Sequence, residues 1–75
     1  MIPIAKLSAR QREVVAHVAH GLTNKEIGRL LNLTEGTVKM VLHMVYERTG
    51  IKNRTALASK FHREEASNGG AQQQL

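Results

Sequence analysis

The stretch from Ile27 to Val41 constrains this chain more than any other. Apolar residues at helical spacing run up to Leu31, an Asn follows, and Leu33-Thr34 already announces another helix start. Two helices joined by so short a turn cross at roughly 90–120°. That crossing makes specific demands. A residue with almost no side chain must sit where the helices touch, and Gly28 is there. The turn needs a residue tolerant of positive φ, which Asn32 supplies. An apolar residue must plug the corner, as Leu33 does, and Val38 and Val41 must recur on the inner face of the second helix. Any one of these is weak evidence. Ile27, Gly28, Leu31, Asn32, Leu33, Val38 and Val41 in register specify a helix-turn-helix unit, whose second helix can lie in the major groove of DNA.

The flanking sequence supplies two more helices. Ser8 with Gln11 three residues on reads as a capping box. Val14, Val15 and Val18 then share one face, while Arg10, Arg12, Glu13 and His17 take the rest. Gly21 suits the left-handed position that ends a helix, with Leu22 folding back beyond it. Thr23 or Asn24 caps the second helix, with Glu26 behind it and Ile27, Leu30 and Leu31 as its inner face. Thr34 caps the third, which ends before Gly50 and turns Val38, Val41, Leu42, Val45 and either Tyr46 or Thr49 inward. A fourth begins near Asn53 and carries Leu57 and Phe61. No four-residue segment alternates as a strand would. The expected organisation is all-α: an N-terminal arm over 1–6, a four-helix domain over 7–65, and a flexible tail over 66–75, where Ser, Asn, Gly and Gln cannot offset their ordering entropy.

Composition narrows the function. Eleven Lys and Arg against six Glu and no Asp give a net charge of +5 and a pI near 10.3. Such a surface suits a polyanion. Without Cys there is neither a disulfide scaffold nor a cysteine zinc site, which fits a reducing cytoplasm. No apolar run approaches the roughly 20 residues that span a bilayer. A chain this small leaves little room for a buried cleft. With no Asp and scattered Glu it offers no convergent acid/base or metal groups, so no catalysis and no cofactor are expected. His17 and His20, three apart, read as surface or helix-end residues rather than metal ligands. His62 reads as solvated, and Glu64-Glu65 as an exposed helix end.

A 3.6-residue period turns Gly36, Lys39, Met40, His43 and Glu47 away from the inner stripe of helix three. Lys39 can donate to a guanine edge or a phosphate, Met40 can touch a thymine methyl, and His43 can donate to a base or backbone oxygen. Met40 and Met44 read equally well as rim packing or a partner surface. Thr34 and Thr37 suit phosphate oxygens, as do Thr23, Asn24 and Lys25 at the start of helix two, with Lys52 and Arg54 as a third grip.

Four segments carry a resemblance. Leu7-Ser8-Ala9-Arg10-Gln11-Arg12-Glu13-Val14-Val15, Gly21-Leu22-Thr23-Asn24-Lys25-Glu26-Ile27, Thr34-Glu35-Gly36-Thr37-Val38-Lys39 and Gly50-Ile51-Lys52-Asn53-Arg54-Thr55 together resemble the LuxR-type (NarL/FixJ/GerE-like) DNA-binding domain. The resemblance covers about residues 7 to 62. It implies a four-helix domain whose third helix reads the major groove of double-stranded DNA, commonly as a homodimer on inverted half-sites. It implies base contacts at Lys39, Met40 and His43, and backbone contacts at Thr23, Asn24, Lys25, Thr37 and the Lys52 region. It also implies dimerisation through helix four; there the small Ala56 and Ala58 read as a flat flank that could meet a symmetry mate, with Phe61 beside it or serving only the core. A transcriptional regulator of this type would work in the bacterial cytoplasm at the nucleoid, with RNA polymerase or another regulator as further partners. The chain departs from the family pattern at Val41, Glu47, Met40, Met44 and Thr49, and Glu47 removes positive charge from the end of the reading helix. The competing reading is an adaptor or anti-regulator on the same scaffold, docking a protein through helix four or the methionine pair.

Overall fold

The structure, a computed structural model, describes residues 1–73, with side chains through Ser67. It comprises a short 3-10 turn, Ile4–Lys6, and four α-helices: α1 (Ala9–Ala19), α2 (Asn24–Leu31), α3 (Glu35–Thr49) and α4 (Arg54–Gln73). Among the described residues there is no strand. The tail expected over 66–75 lies, from Asn68 on, outside the residues whose side chains are described.

Each boundary has a local cause. The Ser8 hydroxyl accepts from the Gln11 amide at 3.2 Å while Gln11 Oε1 accepts from the Ser8 amide at 3.1 Å, so two orphan donors are satisfied reciprocally. Gly21, at φ +90°, ends α1. Its amide donates to Val18 O and that of Leu22 to His17 O, the paired closure in which a left-handed residue lets the chain double back. At α2 the cap is Thr23 rather than Asn24, and Glu26 completes its box. Asn32 takes φ 58°, the positive value the turn required. Thr34 caps α3, Gly50 at φ +75° closes it, and Asn53 Oδ1 accepts from the Ala56 amide at 2.8 Å to start α4.

Packing follows from these directions. α1 lies against α3 and α4, and α2 against α3. Ile4, Leu7, Val14, Val15, Val18, Ile27, Val38, Leu42, Val45 and Leu57 are buried in one core, with Leu31, Leu33, Val41, Tyr46 and Phe61 packed on its edge. Gly28 is needed where the crossing is tightest, although its neighbour is the turn itself. A Cβ there would stand 2.6 Å from the Leu33 carbonyl oxygen. Leu30 departs from expectation. It is 62% exposed, because the inner face of α2 is Ile27, Gly28 and Leu31, and Leu30 lies about 100° around the helix from the centre of that face.

Long-range polar contacts that no periodicity announces finish the fold. Residues 1–6 fold onto the domain: Ile4 is buried, and the Ile4 and Ala5 amides donate to the Glu64 carboxylate at 3.2 and 3.3 Å. Glu64 is therefore a cap for the opening turn and not an exposed helix end, whereas Glu65 is exposed. His62 is not merely solvated either, since its Nε2 lies 3.0 Å from Ala19 O at the end of α1. Arg48 donates to Gln11 Oε1 at 2.7 Å, and its own carbonyl accepts from the Ile2 amide at 2.9 Å. Gln11, almost fully buried, thereby joins the start of α1 to the last turn of α3.

Candidate nucleic-acid interface

The core stripe of α3 leaves its opposite side open, and Gly36, Lys39, Met40, His43 and Glu47 are all exposed there. Gly36 is conspicuous because the fold does not require it. A Cβ at that position would meet only the Thr34 hydroxyl, at 4.0 Å. Gly is a poorer helix former than Ala, and at this second position of α3 no close contact requires it. Lys39 makes no ion pair among the described residues. His43 does have a neighbour: its Nε2 lies 3.4 Å from Glu47 Oε1, and both side chains are largely solvated.

The start of α3 carries a short hydroxyl relay. Thr34 Oγ1 accepts from the Thr37 amide at 3.1 Å and donates to Thr37 Oγ1 at 2.9 Å. The Thr37 hydroxyl is left with its own proton to give outward. Thr23 is engaged within its own cap, since its oxygen accepts from the Glu26 amide and its amide and hydroxyl both face the Glu26 carboxylate. Lys25 and Lys52 are exposed. Glu26, in the same turn as Thr23, is held below its ordinary 4.5 by the Thr23 amide first, then the Thr23 hydroxyl, with Arg29 adding to the effect.

Arg54 is placed differently from the sequence expectation of a third phosphate grip. Its guanidinium donates to Asn24 Oδ1 and to Leu22 O, both at 2.7 Å. Both contacted nitrogens serve inside the protein, binding the start of α4 to the start of α2. Tyr46 on α3 lies against the same corner, where burial pushes its phenol above 10.0 against the pull of Arg54. Arg54 thus holds in place a turn that bears Thr23, Asn24 and Lys25. Sequence reasoning also missed Arg48, and only its contact with Gln11 reveals it.

Ala56, Ala58 and Phe61 do not form one flank. Ala56 and Ala58 are separated by about 200° on a helix, on either side of the buried Leu57. Both are half-buried, and Phe61 packs on the core with its ring edge toward His20 at 6.3 Å. Among the described residues, no group of three or more His, Cys, Asp or Glu could hold a metal, and no helix is long and apolar enough to cross a membrane.

An exposed helix face that carries Lys39 beside the slim Gly36 suits a groove reader, and comparison with known proteins agrees. Residues 5–61 match the family described as bacterial regulatory proteins, luxR family. The chain belongs to that family. Escherichia coli (strain K12) YhjB, by name an HTH-type transcriptional regulator, is 53% identical over 55 residues, covering 73% of this chain and 28% of YhjB. The nitrate/nitrite response regulator protein NarL of the same strain is 34% identical over 61 residues, 81% of this chain and 28% of NarL. The two-component response regulator PprB of Pseudomonas aeruginosa is 45% identical over 53 residues, 71% of this chain and 19% of PprB. The chain therefore spans between about a fifth and three tenths of the length of these relatives. It is a LuxR-family, all-α helix-turn-helix domain of the DNA-binding, transcription-regulating type, a family that is not an enzyme class.

Proposed function

We propose that this LuxR-family domain reads a specific DNA sequence by laying α3 in the major groove. Lys39, Met40 and His43 would meet base edges. Thr23, Asn24, Lys25, Thr34, Thr37 and Lys52 would hold phosphates on either side, with Arg54 supporting Asn24 from behind. The observation that carries the reading is Lys39, an exposed cation without an ion-pair partner beside a glycine the fold does not need. Helix N-termini at α2 and α3 add positive ends where anionic oxygens would sit. Affinity would come mainly from released counterions and fall steeply with salt.

Two copies would bind together, each on one half-site, since half-site readers pair. The α4 surface remains the place for that contact, on the Ala56 side or the Ala58 side but not both at once. Such a protein works where the chromosome is, in the cytoplasm at the nucleoid, and RNA polymerase or another regulator would complete the output.

Selection from a random duplex library with the purified chain tests the proposal. A recovered motif with two related half-sites is the expected result. Retention of DNA without sequence preference would refute it and favour a protein-docking adaptor, for which the exposed Leu30 is the supporting observation.

A further inference from the structure

Met40 and Met44 stand one turn apart on α3 and are 65% and 46% exposed. The core does not use them, and they place two flexible apolar side chains on the exposed side of α3. Their surroundings restrict what they can meet. Lys39 adjoins Met40, the positive end of α3 lies one turn before it, and the chain carries +5 overall. Positive charge is concentrated at the Lys39 end of the pair, while Glu47 stands at the other end engaged with His43. The occupant is therefore anionic beside Lys39 and presents small apolar groups to the methionines. Duplex DNA does so, because the apolar group its major groove displays is the C5-methyl of thymine. Four residues of helix rise about 6 Å, close to two base-pair steps of about 3.4 Å each.

We propose that Met40 and Met44 act as a pair that reads methyl groups on two thymines about two steps apart, so that the preferred half-site is fixed by methyl contacts as well as by the Lys39 donor. The inference rests on the DNA-reading function proposed above. A long, unbranched, polarizable thioether suits the task, since it can follow a methyl group without needing a hydrogen-bond partner. His43 and Glu47 share this face and are engaged with each other at 3.4 Å, with Met40 beside them and Met44 toward its edge. 5-Methylcytosine carries the same group at the same ring position and is the alternative source of the contact.

The experiment uses the selected site and removes methyl groups one at a time, replacing each thymine by deoxyuridine in turn. Two positions should each cost the wild-type chain about four-fold in affinity, the effect of one buried methyl. Met40→Ala should abolish the penalty at one position and Met44→Ala at the other, while Lys39→Ala keeps both. Unchanged thermal unfolding by circular dichroism would show that both variants fold. Replacing cytosines by 5-methylcytosine should leave affinity unchanged; a gain of similar size at a cytosine, with every deoxyuridine silent, would overturn the assignment to thymine. A specific site that tolerates every deoxyuridine, or penalties that survive both methionine variants, would overturn the inference and leave DNA reading intact. Absence of any specific site would overturn both.

Discussion

Replacing Arg54 by Met keeps most of the side-chain stem and removes the guanidinium that joins α4 to the start of α2. Two bonds of 2.7 Å are lost, to Asn24 Oδ1 and Leu22 O. A hydrogen bond to a charged group contributes about 1.5–3 kcal/mol. Partial exposure moves each toward or below the lower end, so the pair contributes about 2–3 kcal/mol together. In a domain of this size each kcal/mol shifts Tm by about 4–8 °C, giving a fall of roughly 10–20 °C. Urea and thermal unfolding followed by circular dichroism measure it directly. Arg54→Lys retains the charge but cannot span both acceptors, and should lose most of the same stability. In a double-mutant cycle with Asn24→Ala, about 1 kcal/mol of coupling should appear between the two positions. The reasoning fails if Arg54→Met unfolds within about 0.5 kcal/mol of the wild type while its DNA-binding salt slope drops by about one. That outcome would make Arg54 a phosphate contact.

Three further outcomes are expected. Lys39→Ala should cost about 1–3 kcal/mol of DNA affinity and relax discrimination at one base pair, whereas Lys25→Ala should weaken all sequences alike and flatten the salt slope by about one; a filter-binding series at several salt concentrations separates them. Gln11→Ala should destabilise by about 1–3 kcal/mol in urea, because the Ser8 amide and the Arg48 guanidinium both lose their acceptor. With Glu26 held below its ordinary 4.5 in the folded chain, its contribution is complete above about that pH and disappears as pH falls through the lower folded value; unfolding midpoints between pH 6 and pH 3 should show Glu26→Gln losing less stability than the wild type.

What the sequence revealed is what short-range chemistry decides. Ser8 with Gln11, Thr23 with Glu26, and Thr34 sit within one turn of the groups they cap, so spacing alone identifies them. Asn32 and Gly28 were legible because a tight crossing admits few residue types, and the stripe of α3 because its period is regular. The remainder depends on the tertiary arrangement. Arg54 reaches back 30 and 32 positions, Arg48 37, and Glu64 about 60, and nothing local distinguishes these side chains from solvated ones. Leu30 shows the opposite error, an apolar residue assigned inward on a helix too short to fix its phase. At the candidate site the same division holds. The outward face of α3 followed from periodicity, whereas the engagement of Arg54, the His43–Glu47 pair and the separation of Ala56 from Ala58 required the folded arrangement.

One consequence of the Arg54 contact concerns its partner. An asparagine amide has two unlike ends, and a surface copy can rotate to show either. Here the guanidinium occupies the oxygen, so rotation is blocked and the amino end is what Asn24 can still offer. A residue able to greet either kind of polar atom is thereby committed to one polarity, the one that a polymer coated in acceptors can use.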